Sequence, residues 1–497
     1  MKKIKYLVLS LVVAAGVASC DDYLDINTSP NNPSSETVTP DLMLSGAIVE
    51  PFEKITNRSN ELGNVFMNSW AGDVNNITGA YLREFALTLS TTFYSDIWDQ
   101  LFLDSGSLTL IDNNIAPKYD NIRAIAKIMK VYYFQPLVDV YGDMPYSQAH
   151  QYGETTTPAY DDDQTIYRDF IVQLDSAISL IDNATNAIDP GANDPIFAGN
   201  MADWKKFANT MKLRVLLREA TKAETNGASA TYLNTQFAAM TTAQFVTTNV
   251  TLNPGYINED NRQNPFWGNF GFEVSGAPRD DNKVVVATDY AAKFLSGAAT
   301  QNAVSTGLFD SRIARLFTPV GGSVVGVIQG DDNLTAPPVL SKLGPGLLQS
   351  FSQDSYIMTA SESFFLQAEA MQRGYLAGTA KTAFDAGVSA SFNLLGADQS
   401  LYNNDAINLI GWTGSSNKIE AIMTQKWIAL MGIHGLESWI EYTRTGFPAI
   451  PLATTAQQVA KPNRLLYPAS EHSGNANNTP AQSQSDAFST HVFWDEN

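Results

Sequence analysis

The sequence predicts a mainly α fold of tetratricopeptide-like antiparallel helix pairs, with a loop-rich insertion carrying short strands. Three observations predict it. Apolar residues recur at helical spacing in segments spread over 41–225 and 356–446. Between them, 226–355 changes texture: Gly, Asn, Pro and Thr dominate and the helical period is mostly lost. Two short runs there, Val284-Val285-Val286 and Val324-Val325-Gly326-Val327-Ile328, read as strands. The helix pairs have tetratricopeptide-like lengths, although no repeat consensus is visible.

The elements follow in order. Lys2, Lys3 and Lys5 precede an apolar run of 13 residues, Tyr6 to Ala18, too short to span a bilayer as a helix. Val17-Ala18-Ser19-Cys20 then places the chain's single cysteine after two small residues. A lipoprotein signal peptidase requires that arrangement; the alternative is an ordinary secretory leader that happens to hold a cysteine. The expectation is a signal peptide over 1–19, a lipidated Cys20 with a polar tether over 20–40, and one body over 41–497. Two or more acyl chains, at about 0.8 kcal/mol per buried CH₂, make a stable anchor.

Thr39 and Pro40 open the first helix, with Leu44, Ala47 and Ile48 on one face. Segment 91–112 reads as helical, and 119–134 as a helix that Pro136 kinks or ends. A turn follows at Tyr141-Gly142-Asp143. Asp161-Asp162-Asp163 precede a helix with Ile166, Phe170, Leu174 and Ala177 on its face, where acidic groups meet the helix dipole favourably. Calcium binding is the sharper reading of that run. Trp204 to Ala220 is the next helix. Later, Thr359-x-x-Glu362 forms a capping box, a helix starts near Asn417, and a short one stops at Gly446 with Pro448 beyond. Residues 447–497 are again loop-rich.

Composition narrows function. The chain has 497 residues, 31 basic and 51 acidic, for a net charge of −20, so a phosphate backbone is repelled and nucleic acid is not an expected partner. One cysteine excludes disulfide pairs within the chain and Cys-based zinc sites. The four histidines lack metal-ligand spacing, and no metal or cofactor is expected. Hydrolase signatures such as G-x-S-x-G and H-E-x-x-H are absent; Ser415-x-x-Lys418 stands without its companion motifs.

Binding is the remaining chemistry. Sugars offer C–H faces to flat rings and hydroxyl rims to Asn, Asp and Arg. Aromatic residues in polar, aperiodic stretches are therefore candidates: Trp70 and Tyr81 in one stretch, then Tyr256, Phe266, Trp267 and Phe270 with Arg279 in another. Trp412 is a weaker third. Most of the 25 Phe, 20 Tyr and 8 Trp must be core, and Trp98, Trp204, Trp427 and Trp439 lie on apolar helical faces. Two half-buried rings contribute about 5 kcal/mol before association costs, which implies roughly millimolar to high-micromolar affinity.

Six segments in order resemble the SusD/RagB family of outer-membrane nutrient-binding lipoproteins. They are Cys20 to Asn27; Asp139-Val140-Tyr141-Gly142-Asp143-Met144-Pro145-Tyr146; Ser361 to Ala370; Gln425 to Leu430; Gly435 to Pro448; and Arg464 to Pro468. The forms ESFFLQAEA and QKWIAL are closest to the SusD-like subgroup. The resemblance implies an α/α superhelix with a loop-rich binding face. It also implies oligosaccharide capture at the cell exterior for a SusC-like TonB-dependent transporter, without catalysis. Asp21 and Asp22 resemble the surface-export signal of Bacteroidetes lipoproteins. A peptide ligand is the alternative within the family, and a surface glycoside hydrolase or a scaffold with only protein partners the alternatives outside it. Within the motifs, Glu362 and Glu437 are expected to cap or to pair with buried polar groups, and Arg444 to bind a carbonyl or carboxylate near the C-terminal loops.

Overall fold

A computed structural model describes residues 38–151, 153–331 and 339–496. Cys20, the leader and most of the tether lie outside the described residues. The chain is mostly helical, as expected. Pro40–Lys54 opens it with Pro40 at the first helical position; the Thr39 side chain makes no capping bond, so the proline carries that start. The helix runs directly into a π-helical turn, Ile55–Ser59, and then Asn60–Phe66.

The central scaffold is a series of packed helices: Asp120–Tyr141, Asp163–Asn183 and Met201–Arg218, then Ala360–Gln372, Ala380–Leu395, Lys418–Leu430 and Gly435–Thr445. Sequence neighbours pack side by side, which the short connection between Gln372 and Ala380 permits only as an antiparallel pair. Trp98, Trp204, Trp427 and Trp439 are buried, as their helical faces predict.

Four differences from the sequence expectations have physical causes. Of the two expectations for Pro136, a kink or an end, the end does not occur: Asp120–Tyr141 runs through it, with buried residues on both sides to offset a proline cost of about 3 kcal/mol. Segment 91–112 is two helices, Ser95–Asp104 and Gly106–Asp112, separated at Ser105. The stretch 226–355 begins with a helix, Gly227–Ala238, capped by the Asn226 side chain, which receives the amides of Ala228 and Ser229. Residues 324–328 are not a strand. They make only an isolated bridge, Thr288 to Val327, and a Cβ on Gly326 would lie 2.2 Å from the Thr288 carbonyl oxygen.

Two small antiparallel sheets form instead. Trp70–Gly72 pairs with Val285–Ala287, and Val250–Leu252 with Ser355–Met358. They tie the insertion back to the helical scaffold.

Buried charge joins the scaffold helices. Arg218 meets Asp139 at 3.2 Å and Glu441 at 2.7 Å, and also pairs with Glu437. Lys426 reaches Glu437 at 3.1 Å and Glu441 at 2.8 Å. Arg444 grips both oxygens of Glu369 at 2.8 Å and also pairs with Glu441. Its partners are carboxylates, as expected, but they stand on scaffold helices and not near the C-terminal loops. Glu362 accepts from Arg214 at 3.2 Å. Its amide donates to Thr359 Oγ1 at 3.1 Å, so the capping box is made from the threonine side while the carboxylate turns into the core. Glu437 and Glu362 titrate below the usual carboxylate range, Glu362 at about 2, although burial opposes the shift: the surrounding cations and His434 outweigh it.

Two glycines explain themselves by close approach. A Cβ on Gly63 would sit 1.9 Å from the Gly435 carbonyl carbon, so the Asn60–Phe66 and Gly435–Thr445 helices cross at backbone contact. Gly142, at φ +76 and ψ −130, ends the long helix in a conformation only glycine takes easily. Asp143 beyond it accepts the Asp163 amide at 3.0 Å and so closes the start of the next helix.

Candidate functional site

The predicted aromatic residues divide into two layers. Trp70 and Phe270 are fully buried, and Phe266 nearly so. Trp70 lies in the strand that pairs with Val285–Ala287, and its ring meets Phe270 edge-on at 5.1 Å and Phe266 at 6.5 Å. These three form the packed floor of the insertion; Trp70 and Phe270 offer a ligand no surface, and Phe266 only an edge at a small pocket beside Thr56. Asparagine and glycine around Trp70 had marked the stretch as open. The strand pairing, formed across more than 200 residues of sequence, is what closes it.

The outer layer remains accessible. Trp267 is half-buried on the short helix Pro265–Phe270, its ring against Phe272 at 5.3 Å. Asn264 caps that helix by accepting the Trp267 amide at 3.0 Å and anchors it by donating to the Gln353 carbonyl and to Ser355. Tyr256 is half-buried, with its hydroxyl 3.2 Å from Ser355 Oγ. Burial raises that phenol to about 12, so it stays neutral at physiological pH. Arg279 donates from Nη2 to Gln263 at 3.3 Å.

Tyr256 and Arg279 line one cleft of about 350 Å³. Asn261, Gln263, Pro265, Gly268 and Asn269 complete that wall, and Trp267 stands on the same helix as the last three. The facing wall is the end of the first helix and the π-turn: Val49, Glu50, Glu53 and Asn57. Sequence reasoning missed this second wall. Its only signal is a polar face, Glu50, Glu53 and Asn57, on a segment read for its apolar one; the π-turn, a feature frequent at functional sites, has no sequence signature.

Tyr81 is set apart. Its hydroxyl donates to Glu61 at 2.8 Å, and Glu61 also receives Arg58 at 2.5 Å. Burial holds the Glu61 carboxyl up at about 7 in spite of Arg58. This cluster reaches the cleft indirectly. Asp281, whose charge bears on Glu61, accepts from Asn269 at 2.9 Å, and Asn269 lines the cleft. Trp412 packs on Phe384 at 5.4 Å with Lys418 over its ring, away from these walls.

The acidic run before the Asp163–Asn183 helix is spent on local donors. Asp161 accepts the amides of Tyr146 and Ser147, Asp162 caps the helix through Thr165, and Asp163 accepts the Phe493 amide. Carboxylate oxygens of Asp143, Asp162 and Asp163 do gather within 4.8 Å, and burial lifts Asp163 to about 6. Those bonds account for the cluster as a helix start.

Comparison with known proteins agrees with the fold. A SusD-like family model, described as starch-binding and associating with the outer membrane, matches residues 30–468. No curated protein sequence matches. Among solved structures, a chitin-binding protein superposes with a TM-score of 0.72 at 24% identity, over 92% of this chain and 100% of that one. A chitin-binding SusD homologue from Flavobacterium johnsoniae gives 0.69 at 21% identity, over 92% and 98%. A SusD homologue from Parabacteroides distasonis gives 0.71 at 20%, over 92% and 97%. At these identities the likeness is one of fold. No helix among the described residues is long and apolar enough to cross a membrane.

Proposed function

The chain belongs to the SusD-like family of outer-membrane-associated, carbohydrate-binding proteins, and from that premise we propose that it is a non-catalytic surface receptor that captures oligosaccharides and delivers them to a SusC-like TonB-dependent transporter. The observation that carries the reading is the cleft between the first helix and the 256–279 loop. It sets half-exposed rings, Tyr256 on the wall and Trp267 beside it, among amides, carboxylates and a guanidinium. Rings cover sugar C–H faces and the polar groups take hydroxyls. Two structural neighbours are described as chitin-binding, which supports a glycan over a peptide.

The arrangement of carboxylates favours binding over hydrolysis. A glycosidase needs two carboxyl groups flanking the scissile bond. Glu50 and Glu53 share one wall, and the facing residues that line the cleft are Tyr256, Asn261, Gln263, Pro265, Gly268, Asn269 and Arg279. Anchoring through Cys20, with the cleft facing the cell exterior, completes the proposal.

The test is incubation of the purified chain with a glycan panel, reading binding by calorimetry and products by chromatography. Binding without chain shortening is expected. Release of shorter sugars would replace the receptor with an enzyme.

A further inference from the structure

Two residues that line the cleft, and a third on a helix of its wall, carry an unused hydrogen-bonding capacity. Asn57 lines it, is 7% exposed, and its Oδ1 meets no donor. Arg279 lines it too, and its Nε meets no acceptor, although Nη2 is held by Gln263. Trp267 Nε1, on the helix that forms the same wall, is also without an acceptor. Each has a definite polarity in this arrangement, the Asn57 amide being oriented with its oxygen inward. The tryptophan and arginine nitrogens only donate, and the asparagine oxygen only accepts.

Buried polar atoms without partners are rare, because each costs the desolvation it has already undergone. Two on opposite sides of one cleft, with a third on the adjoining helix, point to a ligand that supplies what they lack. The missing complement is an oxygen that accepts from fixed N–H donors, and an N–H that donates to a fixed oxygen. A secondary amide has both, on opposite edges of one rigid plane. Sites that discriminate are those whose buried groups are left unpaired by the wrong ligand.

Resting on the reading of this cleft as a sugar site, we propose that it selects glycans bearing 2-acetamido groups. The acetamido N–H donates to Asn57 Oδ1, its carbonyl accepts from Arg279 Nε or Trp267 Nε1, and the pyranose face lies on the half-exposed rings. The rings and the many hydroxyl-matching side chains favour a sugar amide over a peptide amide. The π-turn Ile55–Ser59 is what places Asn57 on this wall.

The experiment is calorimetric titration of the full-length chain with four probes. They are the β-1,4-linked tetramers of N-acetylglucosamine, of glucosamine and of glucose, and an acetyl-capped, amidated tetrapeptide of Gly and Ala. Asn57→Leu is titrated in parallel. The acetylated tetramer is expected to bind about ten-fold or more tighter than the glucose tetramer, with that ratio collapsing in Asn57→Leu. Equal binding of the acetylated and glucose tetramers overturns the acetamido proposal and keeps the sugar receptor. Tighter binding of the glucosamine tetramer also overturns it, and assigns the preference to Glu50 and Glu53 acting on free amines. Binding of the peptide above every sugar, or of no probe at all, overturns both. Should Asn57→Leu not fold, the wild-type ratios decide the matter alone.

Discussion

Residue by residue, the chemistry of this chain depends on which rings the tertiary structure leaves uncovered. Trp70 and Trp267 sit in similar polar stretches, yet one is sealed beneath a strand pair and the other stands at a cleft. Their substitutions should therefore fail differently. Trp70→Ala removes a fully buried ring and should lose about 3–5 kcal/mol of stability, read by chemical denaturation. Trp267→Ala should leave the melting transition close to wild type and weaken glycan binding roughly ten-fold, read by calorimetry. Glu61 predicts a pH effect. Its folded-state value, about 7, lies above its ordinary value of 4.5, so its contribution to stability is full below pH 4.5 and is lost as pH rises through 7. Glu61→Gln should flatten the fall in stability between those values; an unchanged pH profile would contradict the assignment.

At the scale of elements, the motifs that mark the family do structural work. Glu362, Glu369, Glu437, Glu441 and Arg444 bind scaffold helices to one another through buried charges. Arg444→Met leaves Glu369 and Glu441 short of a cation and should cost about 3–5 kcal/mol, measured by urea unfolding. Because Glu362 and Glu437 titrate below their ordinary values, the stability they bring is present above about pH 4.5 and is lost only as the medium turns strongly acidic. Helical periodicity made these elements legible in sequence. Whether the helix continues through Pro136 was not legible, because the local rule allows a kink or an end and distant packing decides between them. Nor was the Trp70–Gly72 pairing, whose partner lies more than 200 residues away.

At the scale of the molecule, one wall of the cleft could be read from the sequence and the other could not. The loop side announces itself by aromatic residues among asparagines. The helical side is supplied by Glu50, Glu53 and Asn57, whose meeting with that loop only the fold decides. The leader and Cys20 predict where the whole body sits. Cys20→Ala should move the protein from the membrane fraction to the soluble one, scored by fractionation, without altering glycan affinity. The central claim is that this one cleft is where a glycan docks. A crystal structure of the chain with a bound oligosaccharide tests it most directly. The account predicts sugar density against Trp267 and Tyr256, reaching Asn57 across the cleft. Density seated elsewhere, for example in the groove of about 530 Å³ beside Lys205 and Lys206, would contradict it.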